Sequence, residues 1–242
     1  MTLTSSEINP LCFNSSDGSI SLTTSGGSGN YNYSWSHDPS INTNTASGLS
    51  SGTYTIDVSD GSNSCVGSIS ITLDNPAEVN SSLGSAPLID CNNPSGTISV
   101  TPTGGTGSYF YTWTTSNGNI VSDATTLTPL VDASGPYLLS ITDLINGCIA
   151  TDSVEVTVDA NTPNADAGPG MVIDCSVSSI TLDGSSSSSG TDFTYLWTTV
   201  DGNIVSGETT TTPVVDAGGT YSIEVTSTVN GCAFTSNVNV LT

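Results

Sequence analysis

The sequence predicts an all-β protein made of three β-sandwich domains in series. Three observations lead to this prediction: an internal repeat, short segments in which apolar and polar residues alternate, and no sustained helical periodicity. The repeat is clearest at the tryptophans, because Trp113 and Trp197 are 84 residues apart and two pairs of cysteines share that offset. We therefore expect two copies of one unit, in residues 79–160 and 161–242.

Residues 1–78 are predicted to be a shorter and more divergent third copy. Cys12 precedes Trp35 by 23 residues, and the corresponding gap is 22 residues in the other two copies. The boundaries fall at short, polar joints that contain proline, at 75–78 and 161–164. Such joints are semi-rigid, so we expect the three domains to form an elongated rod.

The strands are predicted from alternation with a period of two. In the segment that carries the first tryptophan, Tyr31, Tyr33 and Trp35 share one face. Short strands, frequent turns and about 80 residues per unit indicate an immunoglobulin-like β-sandwich. One tryptophan and one tyrosine per unit are the predicted core. They are Trp35, Trp113, Trp197, Tyr54, Tyr137 and Tyr221.

The turn before the last strand is predicted from asparagine–glycine pairs. Asn146-Gly147 and Asn230-Gly231 favour a type I′ hairpin turn, in which both central residues have positive φ. The first unit has Asn63-Ser64 at this place, so we expect a different turn there.

Six cysteines occur as two per unit, at equivalent places. The repeat symmetry favours one disulfide inside each unit, from the first strand to the start of the last strand. The predicted pairs are Cys12–Cys65, Cys91–Cys148 and Cys175–Cys232. Each bond would stabilise its unit by about 4 kcal/mol. The alternatives are buried free thiols or a metal site, and the absence of a Cys-x-x-Cys motif disfavours metal.

Several motifs give the chain a resemblance to a known family. The segments 26–29 (Gly-Gly-Ser-Gly), 33–35 (Tyr-Ser-Trp) and 52–54 (Gly-Thr-Tyr) resemble the SprB-type repeat of bacterial gliding-motility adhesins. Residues 79–242 resemble the related PKD-like (polycystic kidney disease-like) immunoglobulin repeats, although a serine run at 185–189 replaces the glycine motif in the third unit. The resemblance implies long surface proteins, export by the type IX secretion route and roles in adhesion or gliding. It supplies no catalytic residues.

The charge balance excludes several functions. The chain has 22 Asp and Glu residues, no Lys or Arg and one His, which gives a net charge of −22. Without Lys or Arg it has no basic surface to bind the phosphates of nucleic acid, and an anionic membrane surface would repel it. No apolar run approaches the length of a membrane-spanning helix. We expect no nucleic-acid partner and no membrane insertion.

No catalytic constellation stands out, so we expect no enzymatic activity. His37 is the only histidine and precedes Asp38-Pro39, which favours a solvated loop residue over a Ser-His-Asp site. Calcium is the one cofactor that the sequence suggests, because hard cations bind several oxygen ligands and the joints carry acidic residues. The candidates are Asp74, Glu78, Asp159 and Asp166, and the alternative is that they are solvated.

These observations predict a non-enzymatic segment of an extracellular adhesin or surface filament. It would be a disulfide-clamped stalk for attachment or gliding, with neighbouring repeats of a longer chain as its partners. Disulfides persist outside the cytoplasm, so we expect a cell-surface location. A second hypothesis is lateral association into a homo-oligomeric fibre. A third is a carbohydrate- or partner-binding module of a secreted hydrolase, with Tyr31, Tyr109 and Phe110 as ligand contacts, or else as core residues.

Overall fold

The computed structural model describes residues 1–61 and 65–242. These residues form 22 β-strands in seven sheets. No sheet combines described strands from two of the ranges 1–78, 79–160 and 161–242, which we call units one, two and three. Each unit has its own cluster of buried hydrophobic side chains. Among the described residues, no helix is long and apolar enough to cross a membrane.

Unit one is a sandwich of two three-stranded antiparallel sheets, with the orders β1-β2-β4 and β3-β5-β6. Side chains of β5 alternate, so that Tyr54, Ile56 and Val58 face the core that also contains Trp35. The strands are β1 Thr2–Ile8, β2 Gly18–Ser25, β3 Tyr31–Trp35, β4 Thr45–Leu49, β5 Gly52–Asp60 and β6 Val66–Leu73.

Unit two has a four-stranded sheet, β11-β14-β15-β8, and two smaller sheets, β12-β13-β9 and β10-β7. Its first strand is split: β7 pairs with β10 antiparallel, and β8 pairs with β15 parallel. The strands are β7 Asn80–Leu83, β8 Leu88–Asp90, β9 Gly96–Thr97, β10 Val100–Thr103, β11 Tyr109–Thr115, β12 Ile120–Ser122, β13 Leu130–Val131, β14 Gly135–Asp143 and β15 Ile149–Asp159.

Unit three repeats this plan with the sheets β16-β22-β21-β18 and β17-β20-β19. Its opening strand β16 again pairs parallel with the closing strand, β22. The strands are β16 Met171–Val172, β17 Ile180–Thr181, β18 Phe193–Thr199, β19 Ile204–Ser206, β20 Val214–Val215, β21 Gly219–Ser227 and β22 Ala233–Leu241.

Two recurring contacts mark each unit as an immunoglobulin-like sandwich. A buried tryptophan lies on β3, β11 and β18, and its indole N–H donates to a backbone carbonyl across the core. A tyrosine hydroxyl donates to the carbonyl four residues upstream, which is the tyrosine corner of this fold. The pairs are Tyr54–Ser50, Tyr137–Ala133 and Tyr221–Ala217, at 2.8, 2.8 and 2.7 Å. The predicted fold class is confirmed.

The turns before the last strands differ from the predicted type I′. Gly147 and Gly231 have φ angles of 75° and 71°, but the asparagine before each has a negative φ. In unit two, the amide of Gly147 donates to the carbonyl of Asp143 at 2.8 Å, and residues 144–147 form a longer turn. The prediction for Asn63-Ser64 lies outside the described residues.

The predicted intradomain disulfides are wrong. Each observed bond joins one unit to the next, and two cysteines are free and exposed. The bonds are Cys12–Cys148 and Cys91–Cys232, and the free thiols are Cys65 and Cys175. None of the pairs Cys12–Cys65, Cys91–Cys148 and Cys175–Cys232 forms.

Strand direction explains this error. The first and last strands of unit two are neighbours, but they run parallel, so Asp90 lies beside Asp159 at the end of β15. Cys148 stands just before the start of β15. That strand has 11 residues and is roughly 35 Å long, at about 3.3 Å per residue. A disulfide needs Cα atoms within about 7 Å, so Cys91 and Cys148 cannot bond to each other.

Candidate functional site at the junctions between units

The two junctions between units are the candidate functional site. In both, the cysteine in the loop after the opening strand of one unit bonds to the hairpin cysteine of the next unit. The Cα atoms of Cys12 and Cys148 are 5.6 Å apart, and those of Cys91 and Cys232 are 5.0 Å apart. Both disulfides therefore join the same two positions, the opening loop of one unit and the last hairpin of the next.

At the first junction, few hydrogen bonds join the described residues of units one and two. The side-chain amide of Asn146 donates to the carbonyl of Leu11 at 3.2 Å. Beside the disulfide lies a cleft of about 480 Å³, whose lining includes Phe13, Glu78 and Asp152. This junction is partly open to solvent.

At the second junction, units two and three are in closer contact. The backbone amide of Asn92 donates to the carbonyl of Asn230 at 3.2 Å, and the Asn230 side chain donates to the carbonyl of Asn161 at 3.0 Å. Asn230 is 4% exposed and Cys232 is 1% exposed. The hairpin of unit three is therefore packed into the end of unit two.

The Asn-Gly-Cys sequence gives both hairpins the same local geometry. The Oδ1 atom of Asn146 accepts the amide of Cys148 at 3.1 Å, and Asn230 does the same for Cys232. Each asparagine thus fixes its own hairpin with its oxygen. The side-chain nitrogen of Asn146 donates to Leu11 in the preceding unit, and that of Asn230 donates to Asn161, in the joint at the start of its own unit. Glycine follows because the next residue has positive φ.

A buried aspartate supports the hairpin of unit two. Asp143 is fully buried, and its carboxylate accepts the amide and the hydroxyl of Thr106, both at 2.6 Å, and the amide of Ile145 at 3.0 Å. Burial alone would raise the pKa of Asp143, but the hydrogen bonds from Thr106, Ile145 and Asn146 outweigh it and hold the pKa below its ordinary value.

The same contact explains the glycine-rich motif. In unit one, Asp60 accepts the amide of Ser28 at 2.7 Å and also its hydroxyl. A Cβ atom on Gly27 would lie 2.3 Å from the Asp60 carboxylate, so the loop needs glycine there. Unit three has Ser227 at the aspartate position and the serine run at 185–189 in place of the glycines. The aspartate and the glycine motif are therefore lost together.

The predicted core residues all lie inside their units. The tryptophans are at most 3% exposed and the tyrosines at most 9%. Of the candidate ligand-binding aromatics, Tyr31 and Tyr109 pack against the cores, and their hydroxyls donate to carbonyls of the glycine loops. Phe110 is 49% exposed. The three aromatics do not form a shared ligand platform, since Tyr31 lies in unit one and the other two lie in unit two.

The predicted calcium ligands are divided between the two joints. Asp74 and Glu78 lie at the first, and Asp159 and Asp166 at the second. The Oδ1 atom of Asp159 accepts the amide and the side chain of Asn161. Within residues 1–61 and 65–242, no three His, Cys, Asp or Glu side chains come together as a metal cluster. Calcium binding stays a prediction.

Comparison with known families identifies the repeat. The SprB repeat matches residues 4–39 and 89–118. These two segments are similar to SprB repeats. The resemblance noted in unit one is confirmed, and the second match lies in unit two, where the motifs had indicated the PKD-like type. Both segments contain the first cysteine of their unit and the glycine-rich loop.

Similar solved structures are tandem-domain proteins. The three N-terminal domains of the Hoc outer capsid protein of bacteriophage RB49 are 15% identical, cover 99% of this chain and 98% of theirs, and have a TM-score of 0.43. The titin I-band fragment I67–I69 is 12% identical, with coverage of 95% and 93% and a TM-score of 0.34. Domains 4–9 of the surface-layer protein SbsC are 12% identical, with coverage of 93% and 42% and a TM-score of 0.28. No curated protein sequence matches the chain.

Proposed function

We propose that this chain is a non-enzymatic structural segment of an extracellular bacterial adhesin or surface filament, in which disulfides clamp successive sandwiches in series. The observation that carries the proposal is the pairing itself, because Cys12–Cys148 and Cys91–Cys232 each join one unit to the next. Such bonds restrain the angle between units, whereas bonds inside single units would leave the joints free to bend.

The covalent connectivity suits a chain under tension. The two disulfide-closed loops overlap, because Cys91 lies between Cys12 and Cys148 in the sequence. If the units unfold under load, the shortest covalent path runs through both disulfides and residues 91–148. That path is about a third of the chain's full contour length. The oxidised protein would therefore stop extending long before the reduced one.

The proposed location is the cell surface. SprB-type repeats support this, because their family comprises gliding-motility adhesins, and so does the presence of disulfides, which persist in oxidising environments. Attachment, gliding and export by the type IX route are proposed on the family resemblance alone. Immunolabelling of intact cells would contradict the proposal if the protein became accessible only after lysis.

The first experiment is a disulfide map. Cleavage on the amino side of aspartate places every cysteine on its own peptide, because at least one Asp separates each consecutive pair. We expect the peptide of Cys12 to be linked to that of Cys148, and the peptide of Cys91 to that of Cys232. Links inside single units would overturn the proposed clamp.

The second experiment measures the clamp mechanically. Single molecules pulled from both ends should extend about threefold further after reduction than before it. The control replaces all six cysteines with serine and should extend fully without reductant. If reduction leaves the extension of the wild-type protein unchanged, the disulfides do not limit it and the clamp is rejected.

A further inference from the structure

Two cysteines, Cys65 and Cys175, are free, and they occupy the two different structural positions that pair in each disulfide. Cys65 stands just before β6, as Cys148 stands before β15 and Cys232 before β22. Cys175 follows Asp174, two residues beyond β16, and Cys91 follows Asp90, the last residue of β8. The free pair therefore contains one hairpin cysteine and one opening-loop cysteine, the two kinds that bond at both junctions.

The local backbone around Cys65 matches that of the bonded hairpin cysteines. The amide of Asp60 donates to the carbonyl of Cys65 at 2.9 Å. The corresponding distances are 2.8 Å from Asp143 to Cys148 and 2.9 Å from Ser227 to Cys232. Cys65 therefore makes the same backbone contact as the two hairpin cysteines that form disulfides.

The loop around Cys175 matches that of Cys91 in the same way. The opening strand before each cysteine pairs parallel with the end of the closing strand. The side chain of Asp90 accepts the amide of Asn93 at 2.7 Å, and that of Asp174 accepts the amide of Ser176 at 2.8 Å. Both cysteines therefore lie in an aspartate-held bend at the end of their unit, where the next unit would attach.

We propose that Cys65 and Cys175 are the two halves of a third inter-unit disulfide, formed between two copies of this chain. Cys175 of one copy bonds to Cys65 of the next, in the geometry already present at Cys91–Cys232. Because the two thiols lie on different units, the contact is heterologous and leaves one free thiol at each end of a dimer. Repetition of it gives an open, head-to-tail filament.

The bond requires an oxidant, and a small-molecule disulfide supplies it. The Cys175 thiolate attacks this disulfide, forms a mixed disulfide and releases one small thiol. The Cys65 thiolate then attacks the Cys175 sulfur and releases the second small thiol. The two protein thiols together lose two protons and two electrons, and the small disulfide is reduced to two thiols.

The test uses the purified chain and oxidised glutathione. At about 0.5 M salt, which screens the repulsion between acidic chains, we expect a ladder of dimers, trimers and longer species on a non-reducing gel that collapses on reduction. Peptide mapping of the dimer should link residues 60–73 to residues 174–182, the aspartate-bounded peptides that contain Cys65 and Cys175. No cross-linking, or a dimer joined mainly through identical cysteines, would overturn the proposal.

Two single variants make the test sharper. Cys65→Ser keeps only the opening-loop thiol and Cys175→Ser keeps only the hairpin thiol, so neither can form the proposed bond alone. Mixed together, they should form a heterodimer at least tenfold faster than either forms a homodimer, and growth should stop at the dimer. Equal rates would show indiscriminate thiol reactivity and reject the inference. The proposed function would survive that result, because it depends on the separate bonds Cys12–Cys148 and Cys91–Cys232.

Discussion

The two junctions carry equivalent disulfides but differ in what surrounds them. At the second, Asn230 is buried and exchanges backbone and side-chain hydrogen bonds with Asn92 and Asn161. At the first, Asn146 makes one hydrogen bond to the preceding unit, to the carbonyl of Leu11, and an open cleft lies beside the disulfide. The disulfides therefore restrain both junctions alike. The difference in stiffness between the two junctions depends on the polar contacts around each disulfide.

The joints of a chain without Lys or Arg depend on neutral hydrogen-bonding groups. The 22 carboxylates have no Lys or Arg partners, so no side-chain ion pair with a basic residue can connect one unit to another. Neutral asparagine amides take that role, since they can donate to backbone carbonyls without adding charge. The second junction also has a backbone hydrogen bond from Asn92 to Asn230 and a buried asparagine, so it should be the stiffer of the two.

The largest expected effect comes from deleting each disulfide in turn, in a Cys65→Ser/Cys175→Ser background. The bonds span 136 and 141 residues, so removing either should lower the free energy of unfolding of the linked units by about 4–5 kcal/mol. Denaturation followed by tryptophan fluorescence measures this. The two losses should be similar because the loops are of similar length.

The same variants should differ in shape. Loss of Cys12–Cys148 leaves one side-chain hydrogen bond at the first junction, whereas loss of Cys91–Cys232 leaves the contacts of Asn230 in place. Small-angle scattering should show a larger increase in radius of gyration for the first variant. Equal increases would mean that the asparagine contacts do not stiffen the second junction.

The fold was predictable from the sequence because alternation and the tryptophan repeat are local signals. Tyr137, Leu139 and Ile141 alternate inward along β14 as their spacing indicates. The disulfide pairing was not predictable, since repeat symmetry permits two pairing schemes. Pairing within each unit leaves no free thiol, whereas pairing between successive units leaves Cys65 and Cys175 free. Only the parallel direction of β8 and β15 excludes the first scheme, and strand direction is a non-local property.

The buried aspartates were also missed, although a signal for them exists. Asp60 and Asp143 lie five residues before the hairpin cysteines, and both occur in units that have the Gly-Gly-x-Gly motif. Unit three lacks both features. Two features that disappear together in one repeat of three indicate a contact. The carboxylate–loop contact is what the structure shows at both sites.

An intermediate effect is expected at the residue that supports the hairpin of unit two. Asp143→Ala removes the charged acceptor of three hydrogen bonds from Thr106 and Ile145, so the melting temperature of unit two should fall by roughly 5–10 °C. Ser227→Ala is the matched change in unit three. It should cost less, because the Ser227 hydroxyl accepts only a 3.3 Å contact from Val229. A greater loss for Ser227→Ala would contradict this account.

A smaller effect is expected at the hairpin glycines. Both have positive φ, so Gly147→Ala and Gly231→Ala should each cost roughly 1–2 kcal/mol. A Cβ atom on Gly231 would in addition meet the side chain of Asn92 at 2.0 Å, whereas one on Gly147 meets nothing within 4 Å. Chemical denaturation should therefore show the larger loss for Gly231→Ala. Adding Asn92→Ala removes the obstruction, and the two glycine variants should then become similar.

The smallest effect is expected in acid, at the second junction. The backbone amide of Asn161 and then the side chain of Asn230 lower the pKa of Asp159, and Asn161 in turn accepts the amide of Asn230. Because the folded pKa is lower than the ordinary 3.8, the carboxylate stabilises the junction fully above that pH. The stabilisation is lost as the pH falls through the lowered value. The NMR signal of the Asn230 side-chain amide should shift over this interval.

Two variants separate Asp159 from other carboxyl groups. Asp159→Asn should abolish the acid-dependent shift of the Asn230 signal. Asp174→Asn should leave it unchanged, because Asp174 also has a lowered pKa but its hydrogen bonds go to Ser176 and Val177, beside the free Cys175. If both variants flatten the response equally, the acid effect comes from the general charge of the chain and not from the Asp159–Asn161–Asn230 contact.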